Sequence, residues 1–251
     1  MTRIFLWLIG VVALSGVWAD AGAAEPAPRP DCRGPRELVE DEPRLPGLAQ
    51  QLRDKKPVTI VAIGGASTAG NATGDAAEDA YPRRLQDALR QRHPGVDITV
   101  LNKGVPRQTT QEMVERFSRD VYPSTPSLVI WETGTFDAAR NHDVDLFADS
   151  LETGLANLHA HNLETMLIDM QYSRGTASVI NFEPYLDAMR RIADVDDVYL
   201  FQRFEMMKYW SDNGVFSFGD VPKELRAQLA IDVYQCLAEQ LAEAIDYAAR
   251  Q

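Results

Sequence analysis

The chain has 251 residues, 45% hydrophobic and 25% charged, which excludes collagen-like, low-complexity and disordered classes and leaves one ordinary globular domain as the expectation. Lys and Arg number 25 against 37 Asp and Glu, for a formal charge of -12 and a pI near 4.8, with no basic block anywhere. Such a field repels nucleic acid and anionic membrane surfaces, so neither is expected as a partner.

Residues 1–24 (MTRIFLWLIGVVALSGVWADAGAA) place Arg3 ahead of an apolar run from Ile4 to Trp18, followed by small residues. That pattern is a secretory leader, with cleavage expected after Ala19, Ala23 or Ala24; the alternative is an uncleaved N-terminal anchor. The run is shorter than the roughly 20 residues a spanning helix needs, so no integral membrane segment is expected after its removal. Export to the periplasm or beyond puts the rest in an oxidising compartment. Two cysteines remain there, Cys32 and Cys236, and a disulfide between them is expected; two unrelated buried thiols are the alternative. The bridge would tie a Pro-rich N-terminal segment, residues 25–56, to the last helix of a domain spanning 57–251.

Short apolar runs then recur with amphipathic stretches between them. Strands are predicted over Val58–Ile63, Asp97–Leu101, Ser127–Trp131, Thr165–Ile168 and Val198–Phe201. Helices are predicted over Pro82–Arg92, Thr110–Asp120, Asp145–His161 and Phe182–Ala193, and from Pro222 towards Arg250. Continuous rather than alternating apolar strands, separated by helices, imply a parallel sheet covered on both faces. In such sheets the site lies at the carboxyl ends of the strands. Three polar, Gly-containing loops fall there: Gly64–Thr68, Asn102–Gly104 and Glu132–Asp137. Singly, each has a bland alternative, since Ser67 serves equally as a helix cap and Gly104 as a turn residue.

The stretches IVAIGGASTAG (60–70), TVLNKGV (99–105), LVIWETGTFD (128–137), LIDMQY (167–172), LFQRFEMMKYW (200–210) and YQCLAEQLAEAI (234–245) resemble, in order, those of exported SGNH or GDSL-type serine hydrolases. The resemblance implies a flavodoxin-like three-layer sandwich of about five parallel strands, and esterase, lipase or deacetylase chemistry without metal or cofactor. It also supports the cysteine pairing. The family's chemistry needs a Ser nucleophile, a Gly backbone donor, an Asn side-chain donor and an Asp-x-x-His pair before the last helix.

On this pattern Ser67 takes the nucleophile position, with its hydroxyl expected at the sheet edge, and Gly104 takes the backbone-donor position. Phe136 stands where the Asn donor belongs. Counting back from Tyr234 puts Leu225 at the Asp position and Gln228 at the His position. The four histidines are His93, His142, His159 and His161, so the last 90 residues contain none. Segment 223–230 is built of good helix formers, so the last helix should begin a turn or two early.

Losing the Ser-His machinery costs about 10⁶-fold in a protease, and losing one oxyanion donor about 10²–10³. The expected protein is therefore a catalytically impaired scaffold binding a glycan, acyl or protein ligand in a crevice lined by Phe136, Ser67, Asn102 and Tyr172. The competing readings are an esterase acting on a small ester through Ser67 with His142 as a relocated base, and a non-catalytic partner in envelope assembly. No histidine nitrogen is expected within about 4 Å of Ser67 Oγ, beyond proton-transfer reach. Asn71-Ala72-Thr73 matches a glycosylation sequon, read as accidental. Oligomeric state leaves no mark in the sequence.

Overall fold

The computed structural model describes residues 30–219 and 221–250, so the leader segment and its cleavage positions lie outside the described residues. In chain order the elements are α1 (Pro46–Arg53), β1 (Val58–Gly64), α2 (Ala66–Ala69), α3 (Ala76–Asp79), α4 (Tyr81–Arg92), β2 (Ile98–Gly104), α5 (Thr110–Glu115), α6 (Phe117–Asp120), β3 (Leu128–Glu132), α7 (Thr135–Ala139), α8 (Val144–Ala160), β4 (Thr165–Ile168), α9 (Arg174–Ala177), α10 (Glu183–Val195), β5 (Tyr199–Phe201), α11 (Arg203–Asp212) and α12 (Arg226–Ala248). The strands form one parallel sheet in the order β2-β1-β3-β4-β5, the doubly wound arrangement expected from the alternating pattern. Every residue of β3 is buried, as is all of β1 except Thr59, because helices cover both faces.

Register decides what meets at the carboxyl edge. Gly64 pairs with Gly104, Ile63 with Trp131, and Glu132 with Ile168, so the last residues of β1, β2 and β3 converge there. The two glycines are required by packing. A Cβ on Gly104 would strike the backbone of Ala69, and one on Gly64 would strike Thr68 and Glu132. Bare backbone at both positions lets α2 settle directly against the strand ends.

Where the predicted elements and the structure differ, side chains supply the reason. The single helix expected over 110–120 is split at Arg116 (φ -101°, ψ 5°) into α5 and α6. Its buried guanidinium donates to the Gly64 carbonyl at 3.2 Å and pairs with Asp120 at 2.8 Å, so the backbone bends to deliver a cation beneath the sheet edge. The Pro-rich segment contains α1, whose Gly47 and Leu48 N–H groups are capped from far along the chain by Glu164 at 2.6 and 2.8 Å. The last helix starts early, with a 3₁₀ turn at Lys223–Leu225 running into α12.

Cys32 and Cys236 form a disulfide with Cα atoms 4.9 Å apart, and Trp210 Nε1 donates to the Cys32 carbonyl at 3.0 Å. The N-terminal arm is thereby fixed to α12 and α11. Among the described residues no helix is long and apolar enough to cross a membrane. Because the bridge spans 204 residues, loop entropy assigns it about 5 kcal/mol. Calorimetry of the oxidised protein against the C32S/C236S double variant should show a melting temperature lower by about 10 °C or more in the variant.

Candidate active-site crevice

The turn from β1 into α2 is nailed down on its inner side. Arg203, the first residue of α11 and fully buried, donates to Ser67 Oγ at 3.0 Å and to Glu132 Oε1 at 3.1 Å. Glu132 Oε2 accepts from both the N–H and the hydroxyl of Thr68, and Thr68 Oγ1 also meets the Tyr81 hydroxyl at 3.1 Å. The Tyr234 phenol lies against Ser67 from α12. Burial pushes both tyrosines above the ordinary phenol range, so they remain neutral partners. Glu132 and Arg203 neutralise each other with side chains 3% and 1% exposed, which is what allows two charges to sit beneath the sheet edge.

Ser67 lines the crevice at the sheet edge, as expected, but this network restricts its exposure. Its residue is only 7% exposed and its oxygen accepts a charge-assisted bond from Arg203. The exposed residue at the start of α2 is Ala66. A methyl group therefore faces outward where the strand turns into the helix, and the serine oxygen accepts from a cation that cannot take up a proton.

The other predicted site residues divide sharply. Phe136 lines the crevice, with the Arg140 guanidinium 5.5 Å from its ring centroid. Gly104 does not act as a free donor, because its N–H is bonded to Asn102 Oδ1 at 2.9 Å. Asn102 is a scaffold residue too, donating from Nδ2 to the Thr68 carbonyl at 2.8 Å, and it does not line the crevice. Nor does Tyr172, which is buried edge-on against Phe204. Leu225 is 56% exposed, and Gln228 is exposed and bonded to Asp232, so neither reaches Ser67.

No histidine hydrogen-bonds to Ser67 or lines the crevice among the described residues. His142 lies 3.7 Å from Asp137 Oδ1 with its side chain 44% exposed, outside the crevice. His93 pairs with Asp246 at 2.7 Å, His161 stacks on Tyr122, and His159 lies on the far end of α8. Asp137, the carboxylate nearest to His142, is buried and accepts from the N–H and hydroxyl of Thr110; burial raises its pKa. The described residues contain no group of three or more His, Cys, Asp or Glu suited to a metal.

What remains is a cavity of about 130 Å³ between the β1–α2 turn, the loop after β2, the start of α7 and Gln171. That is room for about four waters, enough for the end group of a ligand rather than a whole drug-sized molecule. Its walls mix Ala66, Met113, Phe136 and Ala139 with Ser67, Arg107, Gln108, Glu132, Thr133 and Thr135. A larger groove of about 810 Å³ runs between α4 and α12 past the disulfide, away from the strand ends.

Fold and crevice together define an SGNH-type hydrolase scaffold. More specifically, the chain belongs to the Non-GDSL lipase-like family, whose sequence profile matches residues 31–251. No curated protein matches it. Among solved structures it is similar to an acetylxylan esterase from Geobacillus stearothermophilus, at 16% identity, with 75% of this chain and 94% of that one covered and a TM-score of 0.61. A G-D-S-L family protein from Desulfitobacterium hafniense matches at 20% identity over 71% and 99% of the two chains, with a TM-score of 0.54. TesA matches at 18% over 71% and 97%, with a TM-score of 0.55. At these identities the likeness is one of fold. Two further structures of the acetylxylan esterase are described as catalytic mutants, one with a serine and one with a histidine replaced by alanine.

Sequence reasoning missed Arg203, Glu132, Ala66 and Arg107. Glu132 ends an apolar strand and Arg203 lies two residues past one, and a charged residue at such a place is the signal that would have marked them. Asp169, just past β4, is another. It is fully buried, accepts from the Phe204 N–H at 2.8 Å, and so holds the first turn of the helix that carries Arg203. Burial pushes its pKa up to about 7, against 3.8 for the free side chain. The folded protein then keeps a proton that the unfolded chain gives up, so stability is full below pH 4 and falls as pH rises towards 7, by a few kcal/mol. Urea unfolding of Asp169→Asn between pH 4 and 7 should lack that slope. A second measurement concerns the ion pair: Arg203→Met alone should cost about 3–5 kcal/mol, and Arg203→Met with Glu132→Met markedly less, because the single change strands a buried carboxylate.

Proposed function

We propose that this protein is a non-hydrolytic member of its family that binds a ligand in the retained crevice. One observation carries the reading: Ser67 Oγ is occupied by the Arg203 guanidinium with no imidazole at hand, while the outward-facing residue of the turn is Ala66. Acyl transfer by a hydroxyl needs a base to take its proton and donors for the oxyanion. Arg203 has no free lone pair, Glu132 is consumed by Arg203 and Thr68, and Phe136 offers an apolar ring. A histidine-to-alanine form of the acetylxylan esterase is described as a catalytic mutant, which supports the inference that lacking the histidine position removes the chemistry.

The ligand class this crevice suits is the end group of a glycan, an acyl chain or a protein segment, with Phe136 as a flat apolar wall. Export accords with the Cys32–Cys236 bridge, which needs an oxidising compartment, and we take residues 1–24 as the leader.

The decisive assay is hydrolysis of p-nitrophenyl acetate by purified protein, with S67A and H142A alongside. Turnover is expected at the buffer rate in all three, and no serine should be labelled by a fluorophosphonate probe. Turnover abolished by S67A would establish the esterase reading instead. Because Ser67 Oγ holds a buried charged donor, S67A should also lower stability by about 1.5–3 kcal/mol, read by urea unfolding.

A further inference from the structure

The crevice mouth is cationic on an acidic protein. Of the residues lining the cavity, Glu132 is the one acid, and Arg203 already neutralises it from below. Arg107 lines the same cavity, is exposed, and makes no ion pair or hydrogen bond to another side chain among the described residues. Arg140 stacks across the back of Phe136, likewise without an acidic partner among the described residues. Most of the exposed arginines around α3, α4 and α6 are paired with neighbouring carboxylates, as a chain of net charge -12 readily allows.

Arg107 is also held in an unusual backbone conformation. Its φ is +62°, in the left-handed region that glycine enters freely and side-chain-bearing residues avoid. Strain of this sort at a cavity wall points to a role for the side chain it carries. The same turn leaves the N–H groups of Arg107 and Gln108 without a protein acceptor among the described residues. A guanidinium beside two open backbone donors is the complement of a small oxyanion.

We propose that the crevice recognises a carboxylate-bearing ligand, with Arg107 as its ion-pair partner and Phe136 as the wall against which an attached ring or chain lies. This rests on the binding reading above and names the ligand chemistry for that site. A carboxylate with one or two attached carbons fits a cavity with room for about four waters, and whatever bears it extends out of the mouth. A guanidinium meets the planar two-oxygen face of a carboxylate with two parallel bonds.

The test is an amide NMR titration of the ¹⁵N-labelled protein with D-glucuronate, with methyl glucoside as the uncharged control and inorganic phosphate as a second anion. Glucuronate should shift the signals of Ala66, Arg107 and Gln108, methyl glucoside should not, and affinity should fall as sodium chloride is raised. R107G, which relieves the backbone conformation and should fold as the parent does, is expected to weaken glucuronate binding tenfold or more, and R107K by less. Equal response to glucuronate and methyl glucoside would overturn the carboxylate assignment while leaving a binding crevice in place. Phosphate binding more tightly than glucuronate would overturn it in favour of a phosphate-bearing ligand. Unchanged glucuronate affinity in R107G would remove Arg107 from the site. Failure of the binding reading itself shows separately, as ester turnover in the hydrolysis assay.

Discussion

The arrangement at the sheet edge depends on one buried ion pair. Arg203 and Glu132 leave water together, and the desolvation this entails is offset by their mutual attraction and by Ser67, the Thr68 hydroxyl and N–H, and through Thr68 the Tyr81 phenol, although Arg203 Nε finds no partner. The pair spans two elements, the end of β3 and the start of α11, and clamps a third, the short helix α2. A four-residue helix has little stability of its own. Its orientation is set by this network from within and by the close approach of Gly64 and Gly104 beneath it.

Several polar groups at this edge are bonded within the protein. Ser67 solvates a guanidinium, and Asn102 braces the carbonyl of Thr68 and the N–H of Gly104. The segment ahead of α12 runs into that helix through a 3₁₀ turn. Each arrangement stabilises local structure.

Retention of the crevice alongside these arrangements is what gives the binding reading its content. A collapsed site would have closed over Ala66 and Phe136 with apolar bulk. Instead the cavity keeps a mixed wall and an unpaired cation at its mouth, in a molecule whose overall field is negative. A positive mouth on an acidic surface concentrates field lines locally, so a small anion can be drawn in although the protein as a whole repels anions.

By itself the sequence determined the parallel sheet, the covering helices, the cysteine pairing and the want of a base in the C-terminal segment. Those features follow from apolar periodicity, from redox compartment and from counting histidines, all of which are local or compositional. The place of Phe136 on the crevice was legible too, since it needed only a position after an apolar strand. What the tertiary structure alone decided was direction. Successive residues on a helix point about 100° apart, so which of Ala66 and Ser67 is the more exposed at the crevice wall turns on how α2 is rotated against β3 and α11. That rotation is fixed by Arg203, more than 130 residues away in the chain. Similarly, Gly104 reads as a donor in sequence and becomes a packing residue in space, because strand register puts it under Ala69, while its N–H is taken locally by Asn102. Long-range packing chose which polar groups are spent on the fold and which are left for a ligand, and no local pattern encodes that choice.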